Sequence, residues 1–428
     1  MPTKPSIQTL NASSIEILNA IRAGASSTYQ ERIPVATQEN ITKVGNAMLN
    51  YEATQNEFLN ALVNRIARVI ITSKSYQNPL RRFKKGILEY GETVEEIFVN
   101  IAKANNFDPV KAETDLYKRV IPDVDAVFHR MNYQNFYKVT ISNEQLRQAF
   151  LSTQGISDLV GYIIDSLYTG SEFDEFTIMK QLIVDGVNNG KLYPVTIPEP
   201  DADNAKSIVT TIKAISNSLE FMSSKYNAMG VLTHSAKSRQ ILILDTKFDA
   251  MIDVEVLASA FNKEKAEFMG QRVLIDDFGS LTGVYAALVD EDWFMVFDNW
   301  FGFTENYNGQ GLYWNYFYHV WKTFSTSPFA NAIVFTTSTT SVTGVTVTPA
   351  TATVPKNSEY KLTATVAGTG VVPQGVIWSI SGAQTPVSTV SYNGTLRIPK
   401  EESNTELTVT ATSMYDGTKS GTSTITVG

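Results

Sequence analysis

Apolar residues recur at helical spacing in three stretches of the chain. Val44, Met48, Tyr51, Phe58, Leu62, Ile66 and Val69 fall at three-to-four spacing or its multiples, which predicts one amphipathic helix. A longer helix is predicted from Ser157 to Val187, with Leu159, Ile163, Leu167, Phe176, Met179 and Ile183 as its stripe. Asn189-Gly190 closes it as a left-handed cap. Ile208, Ile212, Ile215, Leu219 and Met222 outline a third. Strands are then predicted at 241–244, 272–276, 284–289, 293–297, 311–324 and 332–337. The order is helices followed by strands, without regular βαβ repetition, so residues 1–340 read as α+β.

The period changes to two near residue 340. GVTVTPATATV, YKLTATVAG, GVIWSIS, VSTVSYNGTLRI, TELTVTATS and TSTITV are short β-rich runs, and they predict a sandwich of about seven strands. Asn393-Gly394 and Asp416-Gly417 read as hairpin turns, the first with positive φ at both central positions. Trp378 is the candidate core residue, an aromatic plug between the sheets. The run TTSTTSVTG before these strands reads as a short linker.

Composition sharpens the division. Residues 341–428 hold 19 Thr, 10 Ser and 12 Val, with five charges of each sign, so the whole net charge of −8 sits in residues 1–340. An acidic chain is a poor grip for nucleic acid. The absence of cysteine excludes disulfides, thiolate nucleophiles and Cys-ligated metals. His129, His234 and His319 stand far apart, which lowers the case for histidine-based catalysis. The N-terminus shows no secretory signal, and no apolar run reaches the 18 residues of a membrane span.

Candidate chemistry is sparse. Asp290-Glu291-Asp292 could hold Mg²⁺ or Ca²⁺, but it lies between two apolar strands where a polar turn is needed anyway. Asn308-Gly309-Gln310-Gly311 lacks the Lys-Ser/Thr of a phosphate loop and reads as a turn. His319, in an aromatic strand, reads as packed. Alternation puts Trp314, Tyr316 and Tyr318 on one face of that strand and Tyr313, Phe317 and Trp321 on the other. A core strand and an interface with another subunit are both open for the first face. Between Gln77 and Asn100 a basic cluster, Arg81, Arg82, Lys84 and Lys85, precedes an acidic one, Glu89, Glu92, Glu95 and Glu96. A solvated hairpin of mixed charge, a head-to-tail contact between copies, and nucleic-acid binding are the three readings.

The residues NPLRRFKKG followed by GETVEEI, with VEVLASAFN at 254–262, LVDEDWFMVFDN at 288–299 and GLYWNYFYHVWKTFSTSPFANAIVF at 311–335, resemble the major capsid proteins of short-tailed phages of the phi-29 type. Residues 341–428, with their V-T-P, W-S-I-S, V-S-x-N-G-x-L and T-V-T-A-T elements, resemble the bacterial immunoglobulin-like group 2 module. The first resemblance implies a Hong Kong 97-like capsid fold. Residues 1–340 would then be the shell domain. Its extended two-stranded loop would lie at about 76–103, its spine helix at about 157–187 and its axial domain at about 195–310, with 311–337 returning to the peripheral domain. It also implies the function: a non-enzymatic protein that self-assembles through hexamers and pentamers into an icosahedral or prolate shell around the phage genome. No cofactor and no metal are expected. The implied partners are further copies, a scaffolding protein, a portal, and double-stranded DNA without sequence-specific contact. Assembly is expected in the host cytoplasm, without a membrane. The immunoglobulin-like module would decorate the exterior, touching host cell-wall carbohydrate, or stabilise subunit contacts. The alternative from another class is a cell-surface adhesin or wall-associated protein carrying the same module.

Overall fold

The computed structural model describes residues 14–49, 76–88, 93–99, 101–102, 124–142, 155–201, 203–255, 271–384 and 388–428, with scattered positions between 51 and 61. Leu62, Ile66, Val69, Glu89, Glu92, the Leu159 side chain and most of 254–262 lie outside the described residues. Among the described residues three short helices come first: α1 (Ser14–Gly24), α2 (Ser27–Arg32) and α3 (Ile41–Leu49). The single helix predicted from Val44 onward is interrupted here. α3 stops at Leu49, and Tyr51 is a bend with 46% exposure. The Thr54 hydroxyl lies 3.0 Å from the Met48 carbonyl oxygen and 2.8 Å from that of Tyr51. The Tyr51 carbonyl oxygen also accepts the Gln55 N–H at 3.1 Å, so a new turn begins beyond the break.

The long helix is present as α4 (Gly155–Asn188), 34 residues and about 50 Å at the usual rise. It joins two cores. Ile163 and Leu167 pack with α1–α3 and Met48. Phe176, Met179, Ile183 and Val187 pack into the second core. Gly190 ends it with φ +62°, and Lys191 N–H reaches the Gly186 carbonyl at 2.8 Å, as the predicted cap requires.

One sheet of the body has the order β1-β9-β10-β4. Its strands are β1 (Lys84–Ile87), β4 (Tyr133–Ser142), β9 (Phe294–Asn308) and β10 (Tyr313–Thr326). Strand β9 runs eleven residues past the end predicted at 297 and forms a long antiparallel ribbon with β10. The Asn308–Gly311 motif is the turn of that ribbon, with Asn308 Oδ1 accepting from the Gln310 and Gly311 N–H groups.

The second sheet, order β5-β11-β8-β6-β7, comprises β5 (Tyr193–Thr196), β6 (Gln240–Asp245), β7 (Arg272–Ile275), β8 (Val284–Asp290) and β11 (Ala332–Thr336). It is covered on both faces, which explains its unbroken apolar runs. Ile241, Ile243, Ala287, Val289 and Val334 face α4. Leu242, Leu244, Leu288, Ile333 and Phe335 face helices α5 (Ala205–Ser218) and α6 (Thr246–Glu255). A separate ribbon pairs β2 (Val94–Val99) with β3 (Val124–His129). Within the expected 76–103, β1 pairs with β9 and β2 with β3, so these two strands do not pair with each other.

Among the described residues nine short strands follow: β12 (Ser341–Thr348), β13 (Thr351–Val354), β14 (Ser358–Lys361), β15 (Thr363–Thr369), β16 (Val376–Ser381), β17 (Thr389–Val390), β18 (Thr395–Ile398), β19 (Glu406–Ser413) and β20 (Ser420–Val427). They enclose one core built on Val347, Leu362, Leu396, Leu407, Val409 and Ile425. Two sequence expectations change. Only Gly394 of the Asn-Gly pair has positive φ, and its N–H closes a turn on Ser391 O, so the hairpin is of the longer, bulged kind. Trp378 is half-buried and lies over Gly394 at the edge of the core instead of filling its centre. The expected linker is also tied down. Thr337 N–H bonds Gly283 O, and Thr336 and Thr340 are buried.

Candidate assembly surfaces

The segment starting at Asn78 is a plug before it is an arm. Asn78 Oδ1 accepts from Leu80 N–H and starts a 3-10 turn over Pro79–Phe83. Its near three-residue period puts Leu80 and Phe83 on one side. Both are fully buried, with the Phe83 and Phe294 rings 4.5 Å apart. Arg81 and Arg82 are left on the exposed side.

Behind the plug, α4 carries Glu172 and Glu175 into the interior. Asn78 N–H bonds Glu172 at 3.2 Å, and Asn78 Nδ2 bonds Glu175 at 2.9 Å. Lys84 Nζ lies 3.0 Å from Glu175 and 2.7 Å from Asp298. Lys322 from β10 pairs with the same two carboxylates. Burial by itself would raise the Glu175 carboxyl, but Lys322 and Lys84 beside it hold it down to about 2. Burial works against the Lys84 ammonium, and Glu175 and Asp298 more than offset it, so its pKa rises.

Lys85 pairs with Asp292 and donates to Glu291 O at 3.1 Å. Asp292 also meets Arg239, which lies 3.0 Å from buried Asp290. Burial pushes the Asp292 carboxyl up, while Lys85 and Arg239 pull it below its usual value overall. The Asp290–Asp292 cluster is thus a turn whose two aspartates are neutralised by protein cations. Glu96 accepts from Ser327 Oγ at 2.6 Å and lies 3.0 Å from His129 Nε2, while Glu95 is exposed. Of the residues expected to reach a neighbour, Lys84, Lys85 and Glu96 are engaged within the chain. Arg81, Arg82 and Glu95 remain at the surface.

The aromatic strand is resolved the same way. Trp314, Tyr316 and Tyr318 lie inside the chain's own core with Met48, Phe58, Ile163 and Leu167, so they do not face a second subunit. Among the described residues Trp314 Nε1 and Tyr316 Oη have no hydrogen-bond partner, and burial pushes the Tyr316 hydroxyl well above its ordinary value. The opposite face is the open one. Phe136, Phe317, His319, Trp300 and Trp321 lie on it in ring contact, and His319 Nε2 is 2.9 Å from Thr304 Oγ1. The outer face of the β2–β3 ribbon exposes Ile97, Val99, Val124 and Phe128. Sequence reasoning missed both surfaces, because alternation separates two faces without saying which is covered.

The strands β12–β20 dock on the body. Gln374 N–H bonds Gly190 O at 2.9 Å, and a Cβ on Gly190 would lie 2.3 Å from Val372 O. Tyr415 packs on Tyr193 at 5.4 Å, and Asn393 Nδ2 reaches Asp125 on β3 at 3.1 Å. Among the described residues no group of three or more potential ligands gathers as a metal site, and no helix is long and apolar enough to cross a membrane.

Residues 18–336 match the family model for the Phi29-like phage major capsid protein. The major capsid protein of Bacillus phage B103 is 40% identical over 406 residues, spanning 93% of this chain and 90% of its own. That of Bacillus phage PZA is 38% identical over 404 residues, with the same coverage of each. Among solved structures, the capsid of Staphylococcus phage Andhra superposes with a TM-score of 0.50 at 16% identity, covering 61% of this chain and 84% of its own. That likeness shows a shared phage capsid fold.

Proposed function

Because the chain belongs to the Phi29-like phage major capsid protein family and forms a phage capsid shell, we propose that copies join through surfaces raised on a rigid base, with Arg81 and Arg82 setting register against an acidic neighbour. The near full-length matches to capsid proteins decide against the surface-adhesin alternative. The observation that carries the proposal is the division of labour around the plug. Leu80 and Phe83 anchor it, Lys84 and Lys85 are consumed by internal carboxylates, and the two arginines are left exposed on a fixed turn. Apolar burial supplies most of the association energy, at about 25 cal/mol per Å², and closure lets many weak contacts cooperate. A scaffolding protein, a portal and the packaged DNA are the partners of such a shell, and the net charge of −8 keeps it from adhering to phosphate.

Residues 341–428 act in this reading as an immunoglobulin-like module clamped to the shell domain, an assignment supported by the nine-strand core and by the bonds at Gly190 and Asp125. Display toward cell-wall carbohydrate would use its far side. The test of register is Arg81→Glu with Arg82→Glu. Lys85 is unsuitable, since its loss would break the pair with Asp292. The doubly substituted protein should fold and fail to form shells in electron micrographs. Shells of normal size and yield would remove the electrostatic part of the proposal.

A further inference from the structure

The inner face of the β2–β3 ribbon is held at two places, by different parts of the chain. Register sets Val94 opposite His129 at one end and Phe98 opposite Asp125 near the other. Asp125 and His129 are both buried on β3, about 13 Å apart along an extended strand. The body holds the His129 end. His129 Nδ1 lies 2.8 Å from Ser325 Oγ, its Nε2 lies 3.0 Å from Glu96, and Glu96 accepts from Ser327 Oγ at 2.6 Å. Phe98 stacks on Phe329 with 5.4 Å between centroids. Asp125 turns instead to the β12–β20 unit, where Asn393 Nδ2 donates to its Oδ1 at 3.1 Å.

The turn that carries Asn393 is built to present that amide. Asn393 Oδ1 accepts from Ser391 Oγ at 2.7 Å, from Thr395 Oγ1 at 2.7 Å and from Thr395 N–H at 3.0 Å. With Oδ1 consumed inside the turn, Nδ2 is the end left to reach outward. Gly394 has φ +82°, and a Cβ there would meet Leu362 O at 2.6 Å and the Trp378 ring at 2.8 Å. The turn is therefore packed tightly beneath Trp378. Lys361 adds a cation, since its Nζ donates to the Asn393 carbonyl oxygen. Burial holds the Lys361 ammonium below its ordinary range, and the charge of Asp125 pulls it partly back. An amide donor and a cation thus meet a buried carboxylate across the seam, and bonds to ionised groups are the stronger kind.

We infer that the Ser391–Thr395 turn is a strap that braces the Asp125 end of the β2–β3 ribbon, so that residues 341–428 set the ribbon's position. The ribbon lifts at this end only by breaking the Asn393 bond. The coupling is reciprocal, so whatever pins the ribbon also stiffens the turn. It acts within one copy and does not depend on how copies pack.

Hydrogen–deuterium exchange of the unassembled, full-length subunit tests the strap. Asn393→Asp keeps the Oδ1 acceptor that the turn needs and sets a second carboxylate against Asp125. Amides of 94–99 and 124–129 should then exchange about tenfold faster, while those of 406–413 keep their wild-type rate. Adding Asp125→Asn swaps donor and acceptor across the seam and should return the ribbon to its wild-type rate. A general loosening would not be rescued in this way. Unchanged ribbon exchange in Asn393→Asp would overturn the inference, and so would a double variant whose ribbon stays fast. Asp125→Ala reads the coupling from the other side and leaves β12–β20 unaltered in sequence. It should speed exchange across 389–398, and wild-type exchange there would overturn the inference even if Asn393→Asp disturbed its own unit.

Discussion

Glu175 is the side chain on which most of the loop base depends. It is fully buried and receives Lys84, Lys322 and Asn78. Its partners Lys84 and Lys322 lie 91 and 147 residues away in the chain, so no local pattern points to them. That distance is why Lys84 and Lys85 read from sequence as half of a surface charge pattern, when only Arg81, Arg82 and Glu95 of the described members stay at the surface. Replacing Glu175 by Gln leaves two lysines in the interior with Asp298 as their remaining counter-charge. Chemical denaturation should show a loss of about 3–5 kcal/mol, the usual cost of breaking a buried pair from one side. The pH dependence has a definite sign. The carboxyl is held at about 2 in the folded protein, below its ordinary value of 4.5. Its contribution is therefore complete above about pH 4.5 and is lost as pH falls toward 2. Wild-type stability should decline across that interval, and Glu175→Gln should flatten the decline. A variant with wild-type midpoint and slope would show that the pair contributes nothing.

At the scale of elements, α4 and the strands of the second sheet were legible because burial on a helical stripe or on both sheet faces leaves long apolar signatures. The break after Leu49 was hidden, since the apolar stripe continues across it to buried Phe58. The extension of β9 to Asn308 was hidden too, because its outer half faces solvent on one side and mixes Gly, Asn and Glu with aromatics. The partner of β2 could not be found nearby, as it begins at Val124. The Gly190 cap was legible from Asn189-Gly190, but its second duty was not. The residue needs positive φ, worth about 1–2 kcal/mol against an L side chain, and it also clears Val372 O. Gly190→Val should loosen the docking of β12–β20, and proteinase K should then cut residues 337–340 faster than in the wild type. Unchanged cleavage would mean that the other contacts suffice.

Among the described residues, the molecule combines a body of three apolar clusters, two of them joined by one long helix, with a small β unit seated at the end of that helix. The family model ends at residue 336, just before the first strand of that unit, while the Bacillus phage B103 protein matches 93% of the chain. Composition shifts near the same place, since Thr and Val alternate on one side of it and charge accumulates on the other. Which face of β10 lies open was not legible, because alternation separates its two faces without saying which one the helices cover. On the proposed function, copies close a shell through contacts whose register the exposed Arg81–Arg82 turn sets. A reconstruction of assembled full-length protein by cryo-electron microscopy, at side-chain resolution, tests it most directly. It should show Arg81 and Arg82 of one subunit beside carboxylates of the next around every ring; shells in which both arginines face solvent would contradict that register.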